Sequence, residues 1–329
     1  MITLKRLIEL EKIISNHKIA VMGDMMLDGY YWGDVSRVSP EAPVPVVEIE
    51  KEFFRFGGAA NVALNIKKLG GNAIPIGIIG NDSDGKIFSK LLKNENIDDS
   101  GIFIDHTRPT TTKTRVIADK QHVVRIDKES KNYIGNKFEK RILNFLQKNI
   151  ASVSAIILQD YNKGVLTEFL IDEIIKLANE NKKIITVDPK FINFKNYKNV
   201  TVFKPNRKET ENILGIRIQS DNDISIAGNN LLNMLNAKYI LLTLGDKGLT
   251  LFEKGKSEIK IPTKARKVAD VSGAGDTVIS TLTLALSCGA TIEESAYIAN
   301  YAAGIVCGEI GIVPIEKEKL FTIMKDQLK

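Results

Sequence analysis

The sequence specifies an α/β fold: a central, mostly parallel sheet with helices on both faces, plus a small β-rich attachment. Short, nearly continuous apolar runs alternate with longer segments whose apolar residues recur about every 3.6 positions, the order that places parallel strands under crossover helices. Two stretches, 30–56 and 112–127, lack the helical period and alternate apolar with polar residues instead. That pattern suits strands of a separate sheet with one face open to water.

Residues 1–16 interleave Lys5, Arg6, Glu9, Glu11 and Lys12 with Leu and Ile. This is an amphipathic helix pattern, and its charges break any continuous apolar signal core. Residues 18–23, 73–80, 155–159, 183–187, 200–203 and 239–245 are expected as buried strands. The helical period runs through 60–69, 85–92, 138–149 and 166–179. The first interruption holds three prolines and alternates through Pro43-Val-Pro-Val-Val-Glu-Ile-Glu50; the second alternates like an exposed antiparallel pair. The uncharged stretch 277–292 is too short and too rich in Ser and Thr for a membrane span and is expected as a buried helix. No linker, repeat or low-complexity tract divides residues 1–329, so one domain is expected.

At 329 residues, 43% hydrophobic and 26% charged, the chain can bury a sizeable core. Its net charge of +6 arises from 46 basic and 40 acidic residues spread along the sequence. That distribution reads as solvated surface and argues against a nucleic-acid footprint. Cys288 and Cys307 both sit in apolar segments, as reduced core cysteines of a cytoplasmic protein do. Two thiols by themselves cannot form a four-ligand metal site, and His17, His106 and His122 form no triad or metal-ligand spacing with one another.

Ligands of open α/β sheets collect at the carboxyl ends of strands, where helix N-termini offer free N–H groups to anions. Gly273-Ala-Gly-Asp276 stands at such a point: its glycines admit a phosphate close to the backbone, and Asp276 is placed as a base, although a Gly-rich turn with an Asp cap would read the same. Asn206-Arg-Lys-Glu209 follows Pro205 and has capping-box spacing; its amide and carboxylate could equally hold Mg²⁺ through water. Thr243-Leu-Gly-Asp-Lys-Gly248 suits a tight turn against a nucleotide, or a plain hairpin into 249–252. Gly23-Asp-Met-Met-Leu-Asp28 and Gly57-Gly-Ala-Ala-Asn61 could together bind sugar hydroxyls, while singly each is a turn and a cap. Gly80-Asn-Asp-Ser-Asp-Gly-Lys86 is not a P-loop, because Ile87 replaces the Mg²⁺-binding hydroxyl and Asp82 and Asp84 would repel phosphates.

In their order along the chain, Gly57-Gly-Ala-Ala-Asn61 with Gly70 and Gly80, Asn206-x-x-Glu209, Thr243-x-Gly245-x-x-Gly248 and Asp270-Val-Ser-Gly-Ala-Gly-Asp276 resemble the PfkB, or ribokinase-like, family of sugar kinases over essentially the whole length. Within it, Ser39-Pro-Glu-Ala-Pro-Val-Pro-Val46, the Gly23 to Asp28 opening, Asp160-Tyr-x-Lys-Gly164 and Asp188-Pro-Lys190 are similar to the branch that phosphorylates D-glycero-β-D-manno-heptose 7-phosphate on the route to ADP-heptose and lipopolysaccharide. Many members of that branch carry a C-terminal nucleotidylyltransferase. No His-x-Gly-His motif occurs here, so a separate transferase is expected for that step.

The resemblance implies phosphorylation of the anomeric hydroxyl, with Asp276 as base and Gly273, Ala274 and Gly275 as anion hole. It places Asp28, Gly57, Gly58, Asn61 and Asp160 on the sugar. Asn206, Arg207, Lys208, Glu209, Thr243, Gly245 and Gly248 would serve Mg-ATP, the Mg²⁺ being held mainly by ATP phosphates with Glu209 acting through water; a monovalent cation is allowed. The stretches 30–56 and 112–127 would form a lid over the sugar and a homodimer contact. The substrate's own phosphate would draw on the group Arg37, Lys113, Arg115, Arg125, Lys163 and Lys190. A same-fold kinase for another sugar, sugar phosphate or nucleoside would keep every ATP-side motif. A non-catalytic sugar-binding regulator would not need them together.

Overall fold

The computed structural model describes residues 2–119, 121–264, 271–309 and 311–329. Helix α1 (Leu4–Ile13), whose Arg6 N–H is capped by the Thr3 hydroxyl at 3.2 Å, leads into strand β1 (Lys18–Gly23). Strands β2 (Met25–Val38) and β3 (Pro45–Gly57) follow as a long antiparallel pair, then α2 (Gly58–Lys68), β4 (Asn72–Gly80), α3 (Ser83–Asn94) and β5 (Ile102–Asp105). A second antiparallel pair, β6 (Thr111–Ala118) and β7 (Gln121–Lys128), precedes α4 (Asn136–Asn149), β8 (Ala155–Gln159), α5 (Glu168–Glu180) and β9 (Ile184–Asp188). The chain then forms β10 (Val202–Phe203), α6 (Arg207–Leu214), α7 (Asp221–Leu235), β11 (Tyr239–Thr243), β12 (Leu249–Glu253) and β13 (Ile259–Ile261), and ends in α8 (Ala274–Ser287), α9 (Ile292–Val306) and α10 (Lys317–Leu328).

Nine strands make one sheet in the order β13-β12-β11-β10-β9-β8-β1-β4-β5. Pairing is parallel from β5 to β11 and antiparallel only through β12 and β13. At its centre Val21 lies opposite Pro75 of β4 and Ile157 of β8. Successive side chains leave a strand on opposite faces, so Ile19 and Val21 enter a core with Ile66, Leu282 and Phe321, while Ala20 and Met22 enter another with Phe194, Phe203 and Leu231. Each fully buried aliphatic or aromatic side chain contributes roughly 1.5–3 kcal/mol, which makes this sheet a rigid platform.

The second sheet, in the order β3-β2-β6-β7, has no comparable burial: every residue of β7 is exposed, and Val123, Val124 and Ile126 face water. Strand β2 belongs to both regions. Its first residues, Met25 to Leu27, are buried, and it runs outward to exposed Val35 and Val38. The described residues of 30–56 and 112–127 form strands of this sheet and the connection between β2 and β3.

Two expected elements end early. The run 239–245 stops at Thr243, where a short 3₁₀ turn (Gly245–Lys247) folds the chain back into β12. The helix expected over 277–292 starts at Ala274 and stops at Ser287, where the chain turns back so that Ala290 N–H donates to the Ala285 carbonyl at 3.1 Å. No helix among the described residues is long and apolar enough to cross a membrane.

Candidate active site

Helix α8 starts over the carboxyl ends of β8 and β9. Its N-cap, Gly273, adopts φ +80°, a left-handed conformation in which only glycine is relaxed, and no side chain caps the first turn. Beyond Ala274, whose N–H reaches back to the Val271 carbonyl at 3.3 Å, the N–H groups of that turn are left to an anion. Asp276, in the same turn, is 4% exposed and accepts three side-chain bonds: Asn61 Nδ2 to Oδ2 at 2.7 Å, Gln159 Nε2 to Oδ1 at 3.0 Å and the Tyr161 hydroxyl to Oδ1 at 2.9 Å. Burial pushes its carboxyl up to about 7; the charge of Asp188 adds to this, and the bonds from Asn61 and Tyr161 and the charge of Lys204 oppose it. A carboxyl poised there suits a general base at neutral pH.

Lys204 lies beneath this turn. It is 3% exposed, and its ammonium pairs with Asp188 Oδ1 at 3.0 Å. Any Cβ at Gly275 would sit 3.5 Å from the Lys204 Nζ, so the cation and the helix N-terminus face the same space. The Asp188 carboxylate lies 3.7 Å from the same point and offsets part of that cation, so the helix start is the main source of positive potential where an anion would collect.

A cavity of about 350 Å³ opens from Ala274 and Gly275 toward Thr243, Gly245 and Gly248, with Asn300 and Cys307 on its wall. The sequence-selected residues of the β11–β12 turn and the α8 glycines therefore line one space. Cys288 is a core residue as expected, but Cys307 is only half-buried because it borders this cavity. Asn206 and Glu209 form a complete capping box, Glu209 N–H to Asn206 Oδ1 at 2.8 Å and Asn206 N–H to Glu209 Oε2 at 2.9 Å. Asn206 also bridges Thr243 on the neighbouring strand, and the other Glu209 oxygen pairs with Lys190. Arg207 and Lys208 are exposed; Arg207 bonds the Ile218 carbonyl and pairs with Glu211 at 3.2 Å.

On the opposite side Asp28, 4% exposed, is ion-paired with Arg115 across the β2–β6 ladder. Its carboxyl is raised by burial and restrained by Arg115. A Cβ at Gly57 would meet Asp28 Oδ2 at 2.3 Å, so only glycine lets this carboxylate lie against the start of α2. Gly58 opens that helix, and Asn61, one turn on, reaches Asp276. Asp160 is fully engaged by the Asn162 N–H at 2.7 Å and the Tyr197 hydroxyl at 2.7 Å, and so braces its own loop.

The six cations separate. Lys113 and Lys163 converge on Glu129 at 3.3 and 2.8 Å, next to the Arg115–Asp28 pair. Arg125 is 56% exposed and shares Asp127 with Lys113 at 2.8 and 3.1 Å, Arg37 is exposed on the outer part of β2, and Lys190 turns to Glu209. Among the described residues no cluster of His, Cys, Asp or Glu could hold a metal by itself. Asp270 of the Asp270 to Asp276 motif lies outside the described residues. Tyr161, Gln159 and Lys204 were not singled out from sequence; Tyr161 stands inside a quoted motif, but nothing local marks its reach to a residue more than a hundred positions away.

Comparison with known proteins gives consistent likenesses. A family model described as pfkB family carbohydrate kinase matches residues 16–318. A protein of Desulfatibacillum aliphaticivorans named Bifunctional protein HldE is 40% identical over 315 residues, covering 96% of this chain and 64% of that protein. One of the same name from Helicobacter pylori is 42% identical over 307 residues, 93% of this chain and 66% of that one. The chain thus spans less than two thirds of the length of these curated relatives. Among solved structures, Arabidopsis thaliana ribokinase complexed with ribose and ATP superposes with a TM-score of 0.76 at 18% identity, covering 94% of this chain and 99% of that one. Phosphofructokinase-2 from Escherichia coli in complex with potassium gives 0.75 at 19%, covering 95% and 98%. These two share the fold.

Proposed function

The chain belongs to the pfkB family of carbohydrate kinases, and from that premise we propose that it transfers the γ-phosphoryl group of Mg-ATP to the anomeric hydroxyl of D-glycero-β-D-manno-heptose 7-phosphate, giving the 1,7-bisphosphate. The observation that carries the reading is the junction at α8: one helix start joins the cavity of Thr243, Gly245 and Gly248 to a buried carboxylate poised near neutral pH. The substrate class follows the HldE relatives at about 40% identity.

ATP occupies the cavity, its terminal phosphate at the Gly273–Gly275 turn. The sugar lies between Asp28 and Asp276. Asp276 takes the anomeric proton, the oxygen attacks the γ-phosphorus in line, and ADP leaves. The α8 N-terminus and Lys204 offset charge on the transferring group, where such reactions gain most of their rate. Mg²⁺ brought by ATP would supply further charge neutralisation, and Glu209 would hold it through water. The second sheet acts as a lid over the sugar within a single domain, and its exposed Val35, Val38, Val124 and Ile126 suit a homodimer contact. A monovalent cation assists; a fold neighbour is in complex with potassium. The setting is cytoplasmic, and a nucleotidylyltransferase acts later on the same route. Turnover should be measured as ADP release across free and phosphorylated sugars; heptose 7-phosphate should show the highest kcat/KM, and equal turnover of ribose or fructose would contradict the substrate.

Two consequences are testable in the same assay. Because only the ionised carboxyl can take a proton and burial holds it near 7, kcat/KM for the sugar should climb with pH through about 7 and level off above it. A profile flat from pH 5.5 to 8.5 would remove Asp276 from the role. Glu209→Gln keeps a capping-box side chain but loses the charge now paired with Lys190. It should raise the Mg²⁺ concentration for half-maximal rate by about 10-fold or more, whereas an unchanged titration would place Glu209 outside the site.

A further inference from the structure

We infer that Tyr161 is a positioning residue for the base, holding Asp276 in the orientation and ionisation needed for proton transfer; this rests on the reading of Asp276 as that base. The phenolic hydroxyl donates to Asp276 Oδ1 at 2.9 Å, and Gln159 Nε2 donates to the same oxygen at 3.0 Å. Oδ2 receives Asn61 alone at 2.7 Å. Two donors fill the lone pairs of Oδ1 and one remains open on Oδ2, so Oδ2 is the oxygen turned to the sugar hydroxyl. Tyr161 thus selects which oxygen works without touching the sugar itself.

The tyrosine sits on a loop that cannot drift. The Asp24 carboxylate, 1% exposed, accepts the N–H groups of Tyr161 at 2.8 Å, Lys163 at 3.0 Å and Val165 at 3.2 Å. Asp24 is the single residue between β1 and β2, where the chain leaves the main sheet for the second one. Its carbonyl also accepts the Ala59 N–H at 3.0 Å at the start of α2. Burying a carboxylate is costly, and the three backbone donors are what offset that cost here. Burial pushes its carboxyl up to about 6, helped by the charge of Asp160; Arg108 is the cation facing it. One carboxylate therefore fixes the Tyr161 loop to the point where the two sheets diverge. Among the described residues, the charged groups acting on Asp276 include Asp188, Lys190 and Lys204, and they come from other segments, so removing the tyrosine hydroxyl leaves them in place.

Tyr161→Phe keeps the ring, including its stacking under the Lys190 ammonium at 5.5 Å, and deletes only the donor. A hydrogen bond to the ionised carboxylate lowers its pKa. The variant should therefore shift the rising limb of the kcat–pH profile upward by about one unit, lower kcat roughly five- to tenfold at pH 7 and recover most of it at pH 9, with the KM for ATP unchanged. A merely structural loss would depress kcat equally at every pH, and an unmoved limb overturns the inference. A raised sugar KM with an unmoved limb also overturns it, because Tyr161 would then be a sugar ligand. Asp276→Asn separates the two levels: if that variant is inactive and Tyr161→Phe shows no displacement, only this inference fails; if it is active, the reading of the base fails first.

Discussion

Asp276→Asn should lower kcat by roughly 10²- to 10⁴-fold, the usual cost of a lost general base, while ATP binding stays within a small factor of wild type. The near-isosteric amide occupies the same buried position in the first turn of α8, so the helix start, Lys204 and the cavity toward Thr243 are preserved. What is lost is the lone pair that accepts the sugar proton. Asn61, Gln159 and Tyr161 all donate to this group; an asparagine can accept through one oxygen only, so one donor is left facing an NH₂ group. That mismatch adds a modest stability loss, which a thermal melt separates from the catalytic one. Retention of more than about a tenth of wild-type kcat would show that the proton leaves by another route.

Removing the 7-phosphate from the heptose should cost at least about 100-fold in kcat/KM. Two charge-assisted hydrogen bonds of about 1.5–3 kcal/mol each correspond to roughly 10²- to 10⁴-fold. We propose Lys113, Arg115 and Lys163 as the donors: Lys113 and Lys163 share Glu129, and Arg115, whose guanidinium also reaches the Lys113 carbonyl at 3.3 Å, pairs with Asp28. Arg115 is the poorer probe. Arg115→Ala leaves the buried Asp28 carboxylate unpaired, so it should impair free and phosphorylated sugars alike. Lys163→Ala leaves Glu129 its contact with Lys113 and should depress kcat/KM for the phosphorylated sugar selectively. Equal losses on both substrates, or a free heptose that reacts as well as its 7-phosphate, would leave a sugar kinase without this specificity.

The strands that the sequence marks out most clearly are the ones buried on both faces. The runs 18–23 and 155–159 coincide with β1 and β8 because continuous apolar runs bounded by polar residues have one reading in a parallel sheet. The expectation names no helix over 292–306, although α9 forms there. Helix α9 packs against α8, and its small residues Ala296, Ala299, Ala302, Ala303 and Gly304 give little periodic contrast. At the site, glycine and carboxylate motifs are legible because turns and helix starts demand them locally. Contacts made across the fold are not: Asn61 meets Asp276 over 215 positions and Gln159 over 117. Lys204 reads as a surface lysine before a proline, and only the tertiary structure puts it at 3% exposure against Asp188. The group of six cations divides for the same reason, since charge in a sequence does not say which carboxylate it meets.

The most direct measurement is phosphorus NMR of the product formed from D-glycero-β-D-manno-heptose 7-phosphate and Mg-ATP, run with the wild-type chain and with Asp276→Asn side by side. The wild-type chain should yield one new phosphate coupled to the anomeric proton, the 1,7-bisphosphate, with stoichiometric ADP, and the variant should yield almost none over the same interval. A new phosphate on any other hydroxyl, ADP formed without a phosphorylated sugar, or equal product from the variant would contradict the assignment of this chain as an anomeric kinase driven by Asp276.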